Sequence, residues 1–298
     1  MVGRVATFAH SGKLLSLAME TQARLAEKQV QEASGLVSST YAGLETEGEI
    51  VVNLEVSLTR AQSYLSSAET ALNRVEMMYS ATGSISDILT SLRSEITGTI
   101  TSDEIDDLQT LAAGYLEDIT SLLNTEYEGR YLFAGSLTQE APVDTSSYVI
   151  TDLTTADTSY YSGDSEIQTA RISADRNLAY GVTADDEAFE ETLRVLSYLA
   201  NATDLTLDDL TELSDAVVDA QDKVIAVQTS LSVKASTLES AISREEEYIT
   251  TLSNTISEKK SVDIVAIAAE ISTMEAQLQA SYSIIGSLSD MSLTDYLR

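Results

Sequence analysis

Eight large apolar residues, Ile264, Ile267, Ile271, Met274, Leu278, Tyr282, Ile285 and Leu288, follow one another at steps of three or four near the end of the chain. That spacing puts them all on one side of an α-helix, as a stripe that something must cover. Ser261 is placed to cap its start, and Asp263 falls in the first turn, where the helix dipole favours an anion. The opposite side carries Ala, Ser, Thr and Gln with few charges, so it is not strongly solvated. A helix over residues 262–298 would run about 50 Å. One buried face does not offset the entropy of ordering so long a segment. The expectation is a tail loosely ordered in the free chain and completed by assembly with other copies.

The same periodicity recurs upstream because little interrupts it. There is one Pro, Pro142, in 298 residues, and Pro is the strongest helix breaker. A first helix is predicted over 4–33, with Val5, Phe8, Leu15, Met19, Ala26 and Val30 roughly on one face and Ser34-Gly35 as its stop. After a Ser/Thr/Gly-rich link at 36–48, a second runs from Ile50 to Leu92. Thr101-Ser-Asp-Glu104 opens a third that ends near Asn124. Short β-prone runs follow at 130–133, 148–150, 160–161, 167–172 and 178–182, punctuated by Gly, Ser, Asp and Thr. Helix returns after Thr183-Ala-Asp-Asp186. Thr206-Leu-Asp-Asp209 then begins a near-heptad array through Leu210, Leu213, Val217, Ala220, Val224, Val227, Leu231, Leu238 and Ala241, which Lys234 interrupts. The predicted fold is mainly α: a long antiparallel helical bundle or coiled coil of the N- and C-terminal segments, with a small β-rich central insertion.

Charge and composition exclude several functions. Forty-eight acidic against seventeen basic residues give a net charge of −31, which argues against nucleic acid and anionic membranes as partners. The acid is concentrated in the middle: nineteen Asp or Glu and three Arg lie between 140 and 222, while the first 33 residues hold four basic and three acidic groups. Packed ends and a solvent-washed centre are the expectation. Cys is absent, so neither disulfides nor thiol chemistry is available. No run approaches the length of a membrane span, and the first 19 residues lack the apolar core of a secretory signal.

Catalytic groups do not converge in the sequence. His10 is the single histidine, which removes a multi-His zinc site and a Ser–His couple of any complexity. No glycine-rich phosphate loop is present. Paired carboxylates such as Asp185-Asp186 sit at a helix start, where capping explains them, and Asp103, Asp106 and Asp107 lack the glycine and terminal Glu of a calcium loop. No catalytic residue, cofactor or metal site is expected. Tyr148, Tyr160 and Tyr161 offer a glycan-stacking alternative to plain packing, and a carboxylate hydrolase is the remote remaining reading.

Three local sequences resemble the bacterial flagellin family, most closely its hook-associated protein 3 branch. They are Gly129-Arg130-Tyr131-Leu132-Phe133-Ala134-Gly135 preceded by Asn124; Tyr160-Tyr161-Ser162-Gly163-Asp164 followed by Arg171-Ile172; and the end, Gln277 to Tyr282 through Ser292 to Leu297. With Ala33-Ser34-Gly35 the similarity spans essentially the whole chain. It departs at 38–43, where Ser-Ser-Thr-Tyr-Ala-Gly replaces the family's Asp-Asp pair, and at the first four residues. The resemblance implies a structural subunit exported through the flagellar channel without a cleaved signal, extracellular, joining hook-side proteins to the filament. The alternative within the family is the filament flagellin itself. Implied partners are other copies, neighbouring axial proteins (a hook-associated protein and flagellin) and an export chaperone. The expected division is 1–45 with 257–298 as a polymerisation coiled coil, 46–129 with 184–256 as a helical bundle, and 130–183 as a surface insertion. Val5, Phe8, Ile264, Ile267, Ile271, Leu278, Tyr282 and Ile285 are the candidate assembly residues. In the Gly129–Gly135 segment the expected role is structural, Gly for backbone freedom and Tyr and Phe for packing.

Overall fold

The computed structural model describes residues 2–99, 101–203, 205–206 and 208–291, with side chains outside 2–9, 102–103 and 288–291. Six α-helices are present among them: α1 (Val2–Ser34), α2 (Thr46–Gly98), α3 (Ser102–Leu123), α4 (Glu187–Asn201), α5 (Asp209–Lys260) and α6 (Ile264–Met291). Two antiparallel hairpins, β1 (Glu126–Tyr127) with β2 (Arg130–Tyr131) and β3 (Thr169–Arg171) with β4 (Asn177–Ala179), are the only named strands there. The chain divides into two compact units, Met1–Thr59 with Ile249–Arg298, and Arg60–Tyr248; the divisions fall inside α2 and α5.

The unit of residues 60–248 has one continuous core. Its part of α2 buries Ala68, Ala71, Val75, Met78, Thr82, Ile85, Leu89, Leu92 and Ile96, a strict alternation of three and four that produces a coiled-coil seam. Its part of α5 buries Leu210, Leu213, Val217, Ala220, Val224, Leu231, Leu238 and Ala241 in the same rhythm. The two helices run antiparallel: Gln221 Nε2 donates to Thr90 Oγ1 at 2.7 Å, and further along Gln228 Nε2 faces Gly83. Lys234, which breaks the apolar register, is accommodated by reaching out of the seam to the Gly181 carbonyl at 3.0 Å. Desolvation lowers its pKa from the usual lysine value.

Helix starts follow the sequence signals. The Thr101 N–H donates to Glu104 at 2.8 Å, Asp186 accepts from the Ala188 N–H at 3.1 Å, and Thr206 and Asp209 bond reciprocally ahead of α5. One expectation needs correction. Ser261 does not cap α6; Asp263 does, accepting from the Val265 and Ala266 N–H groups at 3.0 and 3.1 Å. The Ser261 N–H still bonds back to Ser257 at 2.8 Å, so that residue belongs to the end of α5.

Between β2 and β3 the backbone is largely irregular, although the sequence is β-prone at 148–150 and 160–161. The cause is local competition. Asp144, Asp152, Asp157 and Asp164 each accept from the N–H two residues on, bonds that form turns at the expense of a ladder. These loops are held by a core of their own aromatics. Tyr148 and Tyr160 meet edge to face at 5.1 Å, and their hydroxyls donate to the carbonyls of Asp157 and Ala184. Both rings are buried, so neither offers a stacking face for a sugar, and Tyr161 is half-buried.

The unit of residues 1–59 with 249–298 carries a small cluster of Leu44, Val51 and Ile256 flanked by Val37, Leu54 and Leu58. Beside it the chain ends of α1 and α5 are stitched together. Leu36 and Ser261 form an antiparallel bridge, with Val37 N–H to Lys260 O at 2.8 Å and Val262 N–H to Gly35 O at 3.0 Å. Gly35 makes this exit possible with φ +69.

Candidate assembly surface

Helices α1 and α6 form an antiparallel pair: Gln22 meets Tyr282, Lys28 meets Glu270, and Leu36 meets Ser261. On α6 the buried or half-buried positions facing α1 include Ile267, Ile271, Met274, Leu278, Ser281 and Ile285. On α1 they include Ser11, Leu14, Ala18, Thr21, Leu25 and Lys28. Both series step by fours and threes, which is knobs-into-holes spacing. The α1 side of the seam is built from small or amphipathic residues, and only Ala18 in it is fully buried.

The apolar stripe that the sequence displays on α1 lies elsewhere. Leu15, Met19 and Val30 are 48%, 64% and 66% exposed; at 100° per residue Met19 and Val30 stand more than 90° around the helix from the midline of the seam, with Leu15 at its margin. Leu17 is exposed as well. On α6, Ile264, Val265, Tyr282 and Ile284 are about half exposed or more. A two-helix coil standing in water would carry charge at such positions. Here the pair instead shows water several large apolar side chains.

The eight candidate assembly residues therefore separate. Ile267, Ile271 and Leu278 are buried in the intrachain seam, and Ile285 is half-buried there. Ile264 and Tyr282 flank it and stay open, 53% and 48% exposed. Val5 and Phe8 lie on α1 in the stretch whose side chains are outside the described residues, as does Leu288 on α6; Ser292 to Leu297 are outside the described residues altogether. Leu15, Met19 and Val30 were recognisable as a stripe in the sequence, and their being uncovered is what the structure adds.

The link after α1 is fixed by charge. Lys260 Nζ contacts Glu55 Oε1 at 2.5 Å, Tyr41 donates its hydroxyl to the same carboxylate at 2.6 Å, and the lysine stands 5.4 Å over the tyrosine ring. The lysine bond, then the tyrosine bond, lower the Glu55 pKa from its ordinary value. Lys259 pairs with Glu47 at 3.0 Å.

In the other unit, the two motifs quoted around residues 129–135 and 160–164 clasp one another. Glu128 and Gly129 both have positive φ, 53 and 70, the mirror-image turn that suits a two-residue hairpin loop. Phe133 is buried edge to face against Phe189 at 5.7 Å. Its carbonyl accepts from the Tyr161 hydroxyl at 3.3 Å and from the Ala184 N–H at 2.9 Å. Gly135, with φ +67, packs on Asp164 with no space for a Cβ. Asp164 in turn accepts from the Ser136 N–H at 2.7 Å and from the Ser136 hydroxyl. Asn124, before the motif, exchanges two bonds with the Val143 backbone at 2.8 and 3.0 Å. Leu132 is buried, Tyr131 half-buried and Arg130 exposed.

Among the described residues no cluster of His, Asp and Glu is arranged to hold a metal, and no helix is long and apolar enough to cross a membrane. No protein-family profile and no curated protein sequence matches the chain. Solved structures do match. A protein described as a flagellar hook-associated protein from Vibrio parahaemolyticus superimposes with a TM-score of 0.59 at 16% identity, over 74% of this chain and 99% of the other. FlgL of Bacillus cereus gives 0.56 at 15%, over 67% and 97%. FlgL of Xanthomonas campestris gives 0.55 at 13%, over 68% and 99%. At these identities the likeness is one of architecture: the chain has the fold of flagellar hook-associated proteins.

Proposed function

We propose that the chain is a structural subunit of the bacterial flagellum, a hook-associated protein that joins hook-side proteins to the filament through its helical ends. The observation that carries this reading is the uncovered apolar face of the α1–α6 pair, on a chain with the fold of hook-associated proteins. A coiled coil with Leu15, Met19, Val30, Ile264 and Tyr282 facing water is half of an interface. Copies of the same chain stacked in a tube would cover it, with neighbouring axial proteins on either side. In this reading residues 1–45 with 257–298 are the polymerisation segment and 130–183 faces outward, and an export chaperone shields the same apolar face before assembly. The Gly129–Gly135 turn and its Asp164 clasp are structural, and the chain is not an enzyme.

Deleting the gene tests this directly. The expected phenotype is cells that carry hooks without filaments and shed filament protein into the medium. Loss of the bulk filament protein itself would point to the flagellin reading instead, and normal flagella would overturn both.

A further inference from the structure

Arg130 is exposed, and packing accounts for its motif neighbours but not for it. The β1–β2 hairpin sets it at a cleft shared with Arg74 of α2, Tyr131, Thr138, Gln168 and Tyr180. Arg74 is half-buried. It donates to the Tyr180 hydroxyl at 3.0 Å, while its Nε is buried without a hydrogen-bond partner. Neither arginine forms an ion pair among the described residues. Thr70, Ala71, Met77 and Met78, one helical turn from Arg74, include no acid. The hairpin's Glu126 is instead the cross-strand partner of Tyr131. A guanidinium drawn partly out of water and left without an anion is costly. In a chain with 48 acidic residues for 17 basic ones, such a group with a second, exposed guanidinium at the same cleft needs a reason.

We propose that this cleft is an oxyanion site: it takes a carboxylate or phosphate group between the Arg74 and Arg130 guanidinium groups, with the Tyr180 hydroxyl as a third ligand. Planar forked donors suit that geometry. Tyr180 accepts from Arg74, which leaves its own proton to donate. The oxyanion is either a free anion or an Asp or Glu side chain of a second copy.

Full-length protein, wild type and the R130Q, R74Q and R74K variants, separates the sources. In the free-anion arm, phosphate and citrate are titrated against chloride at matched ionic strength, with melting temperature and heat of binding as readouts. Preferential stabilisation by phosphate or citrate is expected, weakened about tenfold or more in R130Q, abolished in R74Q and partly restored in R74K. R130Q changes an exposed side chain, so its test survives even if R74Q lowers stability. In the second-copy arm, sedimentation across a concentration series is expected to show self-association that R130Q reduces and phosphate competes away. A positive result in either arm supports the site and names its source. The proposal is overturned if phosphate, citrate and chloride act alike and R130Q leaves self-association unchanged. It is equally overturned if anion binding persists undiminished in R130Q and R74Q.

Discussion

At the scale of single residues the clasp around Gly135 sets the sharpest requirements. Its φ of +67 is in the left-handed region, and a Cβ there would run into the Asp164 carbonyl and carboxylate oxygens. Gly135→Ala is therefore expected to cost about 2–3 kcal/mol or more, combining backbone strain with displacement of a bonded loop. Gly129 has nearly the same φ, +70, but open space where its Cβ would go. Gly129→Ala is expected to cost about 1–2 kcal/mol, the conformational part alone. Urea denaturation of the two variants checks both figures. Turn carboxylates make a second prediction. Asp152 accepts from the Thr154 N–H and from the Thr154 and Thr155 hydroxyls; the backbone bond, then the two hydroxyl bonds, pull its pKa down to about 2. A carboxylate depressed on folding adds stability that is present above its unfolded pKa and lost as pH falls through the folded one. Asp144, Asp164 and Asp209 shift in the same direction. The melting temperature is expected to fall between about pH 4 and pH 2, less steeply in Asp152→Asn. A wild-type curve flat over that window would contradict the assignment.

Helix by helix, the structure separates what periodicity displays from what it hides. The seam positions of α5 were legible because Leu and Val mark a three-and-four rhythm against a polar background, whereas the α2 seam runs through Ala68, Ala71 and Thr82, which carry less contrast. On α6 the same rhythm identified Ile267, Ile271, Leu278 and Ile285. On α1 it identified the other face. The seam there is Ser11, Leu14, Ala18, Thr21, Leu25 and Lys28, which has too little hydrophobic contrast to stand out, while Leu15, Met19 and Val30 stand out and are uncovered. Periodicity alone cannot tell a covered face from an uncovered one, and only the partner helix reveals which is which. Strands were the least legible elements, because Asx turns at Asp144, Asp152, Asp157 and Asp164 override β propensity locally. The two α1 faces predict opposite phenotypes. Leu15→Ser, Met19→Ser and Val30→Ser together are expected to leave the helical circular dichroism of the free protein unchanged and to abolish incorporation into flagella. Ile271→Ala, in the seam, is expected to lower the opening free energy of α1 and α6 by about 2–4 kcal/mol, read by hydrogen exchange confined to those helices.

For the molecule as a whole, the two units differ in how much of their core they own. The unit of residues 60–248 holds a cluster that runs without interruption from Ala68 on α2 to Ala241 on α5 and includes the buried loop aromatics. The unit of residues 1–59 with 249–298 holds Leu44, Val51 and Ile256 and a seam that is small-sided on α1. Contiguous apolar burial is the main source of cooperative stability, and ordering entropy is the main cost. Residues 60–248 expressed alone are therefore expected to melt in one cooperative transition, with the near-ultraviolet signal of packed Tyr148 and Tyr160 retained. In the full chain, α1 and α6 are expected to exchange amide hydrogens faster than α2 or α5 while monomeric, and to become protected when copies assemble, because the missing cover for Leu15, Met19 and Val30 then arrives. Equal protection of α1 and α5 in a dilute monomer would mean that the terminal pair needs no neighbour. The reading of its outer face as an assembly surface would then fail along with it.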